Sequence, residues 1–202
     1  MHIEAQSAME RWRPLVQWFL CIPHLLYTGL LAGTSVIVAV VIGVLVLVTG
    51  RIPQRLAAFQ VLALRERVRC YSYFFVLRSS RPPYPTSISS VDPGDDLLVT
   101  VTVETPTTAP RWSLVVRPVL AIPHLVLLLP IGLVMDACYP VWMVLASANG
   151  GWPEGMERTL IRVERWVAAV AMYLTYATNE VPRLGLAAYA DGVEGTTDRA
   201  PA

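Results

Sequence analysis

Two histidines in a repeated tetrapeptide are the first residues of this chain that could do chemistry. His24 stands in Ile22-Pro23-His24-Leu25, and His124 stands in Ile122-Pro123-His124-Leu125, 100 positions later. If the two motifs faced one another, two imidazole nitrogens would meet as axial ligands of a haem or a metal do. Neither motif carries a second His, Cys or Asp to support that use. The simpler assignment is an anchor, in which each imidazole follows a helix-kinking proline and bonds to carbonyls or lipid headgroups. His24 and His124 therefore stay as cofactor-binding candidates only, and no cofactor or metal is assigned.

Asp136 is the second candidate, as the one acid inside a long apolar run. A charge near the centre of a bilayer costs about 2.5–3.5 kcal/mol on insertion scales, so it needs a partner or a task. Arg65 and Arg165, again 100 positions apart, are the expected partners. A structural ion pair is favoured over a proton or ion pathway, which would need more groups than His24, His124 and Thr34-Ser35. Cys21, Cys70 and Cys138 read as small buried hydrophobes. Asp92 and Asp95-Asp96 read as turn acids. No Gly-rich phosphate loop, nucleophile–base pair or metalloprotease motif is present, so no catalytic residue is named and no enzyme is expected.

The elements that must position these residues follow from composition. The chain has 202 residues, 54% hydrophobic and 15% charged, with a mean hydropathy of +0.50. Soluble domains carry about 25% charged residues, so the deficit points to a membrane. All 16 basic residues are arginine, and the formal net charge is +1. Without a basic block there is no case for nucleic acid. Glu4 and Glu10 precede an apolar run too long for the core of a cleavable signal, so the chain is expected to stay in the membrane it enters.

The tetrapeptide match spreads outward. Over 11–82, 16 of 72 positions are identical to the residue 100 further on. Chance would give roughly one in ten to fifteen, so a duplicated unit is expected. The stretch 14–49 holds no charge, and its 36 residues would make a helix about 54 Å long against a hydrocarbon core of about 30 Å. Pro23 is expected to divide it into an interfacial helix, Pro14–Ile22, and a span, His24–Val48. The run from Pro118 to Asn149 repeats the span with three internal prolines. Gly50 and Gly150 supply the stops.

Second helices are expected over Leu56–Leu77 and Met156–Thr178. Either they recross, with arginines that face a bundle interior or snorkel, or they lie flat on the surface, where Arg65, Arg67 and Arg69 could hold anionic lipid heads. Recrossing by both gives four spans and parallel copies. The rival is a two-pass protein with inverted copies. Alternation in Val99-Thr100-Val101-Thr102-Val103 predicts a strand, matched near the start by Ile3-Glu4. Asp92-Pro93-Gly94-Asp95 predicts the turn of an extramembrane hairpin between 87–91 and 97–104. The expected fold is thus an all-α membrane protein: two tandem copies of a strand–interfacial helix–transmembrane helix–second helix unit, with four membrane helices and a small β hairpin. The first repeat covers 1–85, the hairpin and strand 86–110, the second repeat 111–186, and a mobile tail 187–202.

The order Arg-Trp, Ile-Pro-His-Leu, long apolar span, Thr-Gly-Arg-Ile-Pro, arginine-bearing helix and Arg-Pro-Pro-Tyr-Pro resembles a bacterial family of tandem-repeat integral membrane proteins. That family is common in GC-rich Gram-positive bacteria and catalogued only as a domain of unknown function. The resemblance covers about Met1 to Leu186, more closely in the first copy. It implies membrane placement and tandem arrangement, and no activity or substrate. Two functions are expected from the whole. The first is a small scaffold or accessory subunit packing against a larger complex in the cell membrane, as a multi-pass protein contacting lipids. The alternative is a transport or lipid-handling protein with a site at the repeat interface.

Overall fold

The charge-free run becomes a single helix, α1 (Arg13–Thr49). Pro14 sits in its first turn, where a missing N–H is no loss. Gly50 ends it with a φ of 71°, its N–H donating to the Val46 carbonyl at 2.7 Å. α2 (Gln54–Phe74) turns back along α1. α3 (Ser113–Asn149) and α4 (Met156–Leu174) form a second such hairpin, and a 3₁₀ turn, Leu186–Tyr189, follows. β1 (His2–Ile3) and β2 (Val99–Thr100) pair antiparallel, with His2 opposite Thr100 and Ile3 opposite Val99. The computed structural model describes residues 2–3, 10–78, 80–84, 88–89, 91–94, 96, 98–101, 103–152 and 155–189.

The expected break at Pro23 does not occur. A proline deletes one hydrogen bond of the ladder, and here the turn around it is held from outside. Cys21 packs on Cys70 of α2 with sulfurs 3.8 Å apart, and His24 packs on Glu66. Likewise α3 runs through Pro118, Pro123, Pro130 and Pro140. The interfacial helix and the span are therefore one rod in each half.

α1 and α2 touch along their whole lengths. Gln17 Nε2 donates to the Tyr73 and Arg78 carbonyls, both at 2.7 Å, near one end. Gln60 Nε2 donates to the Ser35 carbonyl at 2.9 Å in the middle, and Ile42 and Val46 pack with Ala57 near the other end. α3 and α4 follow the same scheme, with Arg117 donating to the Tyr173 and Thr178 carbonyls. Gly150 repeats the helix stop of Gly50, and Tyr176 repeats the positive φ of Val76.

The two hairpins lie head to tail. Gly43, near the end of α1, meets Leu114 at the start of α3, and Ser147 of α3 donates to the Arg11 carbonyl beside the start of α1. α1 and α3 thus run antiparallel, which corrects the expectation of parallel copies. α1 and α3 make one layer, α2 and α4 the next. Val99 and Val101 then pack on Leu64 and Val68 of α2 and Ala168 of α4. Among the described residues only α1 and α3 are long and apolar enough to cross a membrane, so second crossings by α2 and α4 are not met. Less than a quarter of the most apolar stretch of each is buried.

Much of the hairpin expected between 87–91 and 97–104 lies outside the described residues, and the part described pairs elsewhere. β2 takes its partner from the other end of the chain, and the Asp92 carboxylate accepts from the Val101 N–H at 2.9 Å instead. The tail expected from 187 onward begins ordered. Tyr189 is buried and stacks on Trp166 with ring centres 6.2 Å apart. The rest of that tail lies outside the described residues, as do most of the first ten.

Gly43 is where the two hairpins approach most closely. A Cβ there would fall on Leu114 Cδ1 and 2.9 Å from the Tyr176 hydroxyl. Gly43→Val should therefore destabilise by about 1–3 kcal/mol through overpacking. Gly33→Ala, which meets nothing within 4 Å, should leave the thermal midpoint in detergent unchanged or slightly raised. Equal midpoints for the two variants would refute the close approach.

Candidate functional site

Arg65, Glu66 and Arg69 lie on α2 within one helical turn, and all are buried. The spacing of Arg65 and Arg69 puts both guanidinium groups on one face. The segment after α2 brings Asp92 and Asp96 over that face. Arg65 Nε lies 3.4 Å from Asp92 Oδ2, and Arg69 Nη2 lies 3.4 Å from Asp92 Oδ1. Arg69 also reaches Glu66 Oε1 at 3.4 Å and Asp96 Oδ2 at 3.6 Å. Arg78, 3% exposed, pairs with Asp96 as well. Among the described residues, three arginines and three carboxylates thus form one largely buried cluster. His24 joins at its edge, with Nε2 3.7 Å from Glu66 Oε2 and its ring 4.8 Å from that of Tyr84.

The second half is built differently at the same places. Trp166 stands where the first half has Glu66, and its indole N–H donates to His124 Nδ1 at 3.0 Å. Each histidine therefore turns into its own hairpin. The structure does not bring His24 and His124 together, and no group of three metal-ligating side chains is found among the described residues. Both are held as packed helix residues rather than as headgroup anchors, since each is no more than 3% exposed.

The expected pair of Asp136 with Arg65 or Arg165 is corrected. Asp136 is exposed on α3 and enters none of the ion pairs found among the described residues. Arg65 is taken by Asp92 and the Ser89 carbonyl, and Arg165 donates to the Tyr189 carbonyl at 3.4 Å. Hydropathy alone suggested that Asp136 was buried, and the helix instead turns it outward.

Sequence reasoning counted Arg69 only among the arginines of the second helix, gave Glu66 and Arg78 no partner, and gave Asp92 and Asp96 only a turn role. Asp92 does hold a turn, accepting from the Gly94 N–H at 3.1 Å, but it also carries two arginines. A signal was present: two arginines four residues apart, then two aspartates four residues apart. A second ionic link, Arg67 to Glu164 at 3.5 Å, joins α2 to α4. Burial pushes the Glu164 carboxyl up, and the Arg67 guanidinium acts against that shift. Arg67 also lies over the Tyr71 ring at 4.9 Å.

Between the four helices lies a mostly apolar cavity of ≈ 410 Å³. Ser35, Val36 and Ala39 line it from α1, Gln60 and Arg67 from α2, and Arg117 from α3. Most of its polar lining is already engaged. Ser35 donates to Gln60, Arg67 meets Glu164, and Arg117 is spent on carbonyls and on the rings of Tyr173 and Tyr176. Nothing in these groups assembles a nucleophile with a base. Their chemistry is that of a rigid, internally paired core.

Removing one member of a buried ion pair costs about 3–5 kcal/mol, because its partner is stranded. Asp96→Asn should therefore sharply lower the yield of folded protein in detergent, while Asp136→Asn should match the parent in a thermal melt. The reverse order would place the supporting charge at Asp136. No family model, no curated protein and no solved structure matches this chain.

Proposed function

We propose that this chain is a membrane-embedded scaffold or accessory subunit that packs with a larger membrane protein complex, in the cell membrane of a bacterium. The observation that carries this reading is a division of labour in the side chains. The buried charges of α2 are paired in the Arg65–Arg69–Arg78 cluster, while the outward faces of α1 and α3 are mostly apolar. A molecule built this way offers surface rather than chemistry.

We further infer that the halves are two copies of one unit, packed antiparallel about a pseudo-two-fold axis. Support comes from the recurrence, 100 positions apart, of the helix-stop glycines, of the positive φ after the second helix, and of the clamps made by Gln17 and Arg117. The likeness to the tandem-repeat family of unknown function belongs to the same proposal.

The cavity favours a second reading, lipid handling at the repeat interface. Its wall is apolar and drawn from both halves, which suits an acyl chain.

Extraction in mild detergent after crosslinking in the native membrane separates the two. An accessory subunit should elute with one defined membrane protein at fixed stoichiometry, well above its own 22.3 kDa. Elution alone would defeat that reading. Lipid retained by the lone chain in native mass spectrometry, and lost in Val36→Trp at the cavity rim, would then establish the second.

A further inference from the structure

We infer that α1 and α3 do not cross the bilayer but lie side by side in one leaflet, with the rest of the chain on the aqueous side of that same leaflet. The inference rests on the membrane reading above and concerns how the membrane is engaged.

A helix can span only if whatever packs along it can enter the hydrocarbon too. α2, with 21 residues and a length of about 31 Å, packs on α1 between Gln17 and Val46, and it would have to stand across the hydrocarbon core of about 30 Å together with α1. The described part of the chain between α2 and α3 then returns along that helix, and none of its residues is helical. It starts at Arg78, beside the first turns of α1, and places Asp92 on Arg65 and Arg69 midway. It arrives at Thr108, bridged to Arg51 beyond the far end of α1. If α1 stood across the membrane, this irregular, charged strip would stand across it as well. Exposed non-helical backbone is not tolerated in hydrocarbon, since each unpaired N–H and C=O costs several kcal/mol.

Turning the molecule on its side removes the conflict. The layer of α1 and α3 then faces lipid, α2 and α4 lie behind it, and the charged strip and β1–β2 ribbon meet water. Apart from Asp136 on α3, the outward side chains fit that placement along both rods. Leu26 and Leu30 of α1 are 72% and 70% exposed, and Leu129 of α3 is 68% exposed, all near the middle. Val48 and Val115, at adjoining ends, are each 68% exposed. Trp12 and Trp112 stand exposed where the helices begin, beside Arg11, Arg13 and Arg111, an arrangement suited to headgroup depth. A single layer of helices is about 10–12 Å thick, close to the depth that in-plane helices reach. The occupant of this face is therefore one leaflet of a bilayer, with anionic headgroups at its arginine-bearing edges.

The test uses single cysteines at Glu10, Arg55 and Arg158 in the full chain with Cys138→Ala. The native Cys21 and Cys70 are fully buried and serve as unlabelled controls. In sealed vesicles, a membrane-impermeant maleimide should reach all three positions from one side and none from the other, while alkaline carbonate leaves the chain in the pellet. Labelling of Arg55→Cys from the side opposite to Glu10→Cys and Arg158→Cys would overturn the in-plane placement and leave the membrane reading standing. Release by carbonate as a soluble dimer with the apolar faces joined would overturn the membrane reading itself.

Discussion

Arg69 is fully buried, and its charge can be tolerated there only because three carboxylates surround it. An isolated guanidinium in such a place would cost several kcal/mol, a large share of the stability of a small domain. Glu66 comes from its own helix, but Asp92 and Asp96 come from the irregular segment beyond α2. That segment is thereby pinned to α2, because lifting it would strand both signs of charge at once. With the segment fixed, Val99 and Val101 come to rest on Leu64 and Val68, and Val99 is presented to Ile3. The layering of the molecule thus descends from one electrostatic constraint.

The second half reaches a similar hairpin without that constraint. Trp166 and Ala169 replace Glu66 and Arg69, and the site closes with apolar contacts among Ala121, Trp166, Val170 and Tyr189. A buried ion cluster and a buried aromatic cluster are close alternatives in energy, provided the ions are fully paired. What both halves retain is the clamp on the C-terminal turn of the second helix. A long side chain of the first helix, Gln17 or Arg117, donates to one carbonyl in the last turn of the second helix, Tyr73 or Tyr173, and to one just beyond it, Arg78 or Thr178. Backbone carbonyls need such donors whatever the surrounding side chains are.

Helix ends were legible because they depend on local chemistry. Gly50 and Gly150 adopt the left-handed conformation that a glycine allows, and each helix stops there. Pro23 misled because its local cost is outweighed by contacts made at long range, Cys21 on Cys70 and His24 on Glu66. The strand at Val99 was legible from its alternation, but its partner was not, since His2–Ile3 is nearly a hundred residues away. For Asp136 the error lay in equating an apolar run with a buried one. In α1 and α3 the apolar side chains are mostly the exposed ones, and the buried face carries Gln17, His24, Thr28, Ser35, Arg117 and His124.

That inversion bears on the meaning of hydropathy here. A long apolar helix is read as a span because its side chains disfavour water, and α1 and α3 are both long and apolar enough for that reading. Burying one large aliphatic side chain is worth about 1.5–3 kcal/mol, and both rods leave such side chains exposed from end to end. Apolarity fixes the medium but not the direction in which the helix lies in it. Direction is set by the neighbours, which must share the depth of the helix they pack on. α2 brings Arg65, Glu66 and Arg69 to the inner side of a helix with no charge after Arg13. In the in-plane placement we propose, the boundary between lipid and water keeps those charges dry within protein, yet outside hydrocarbon, by running parallel to α1.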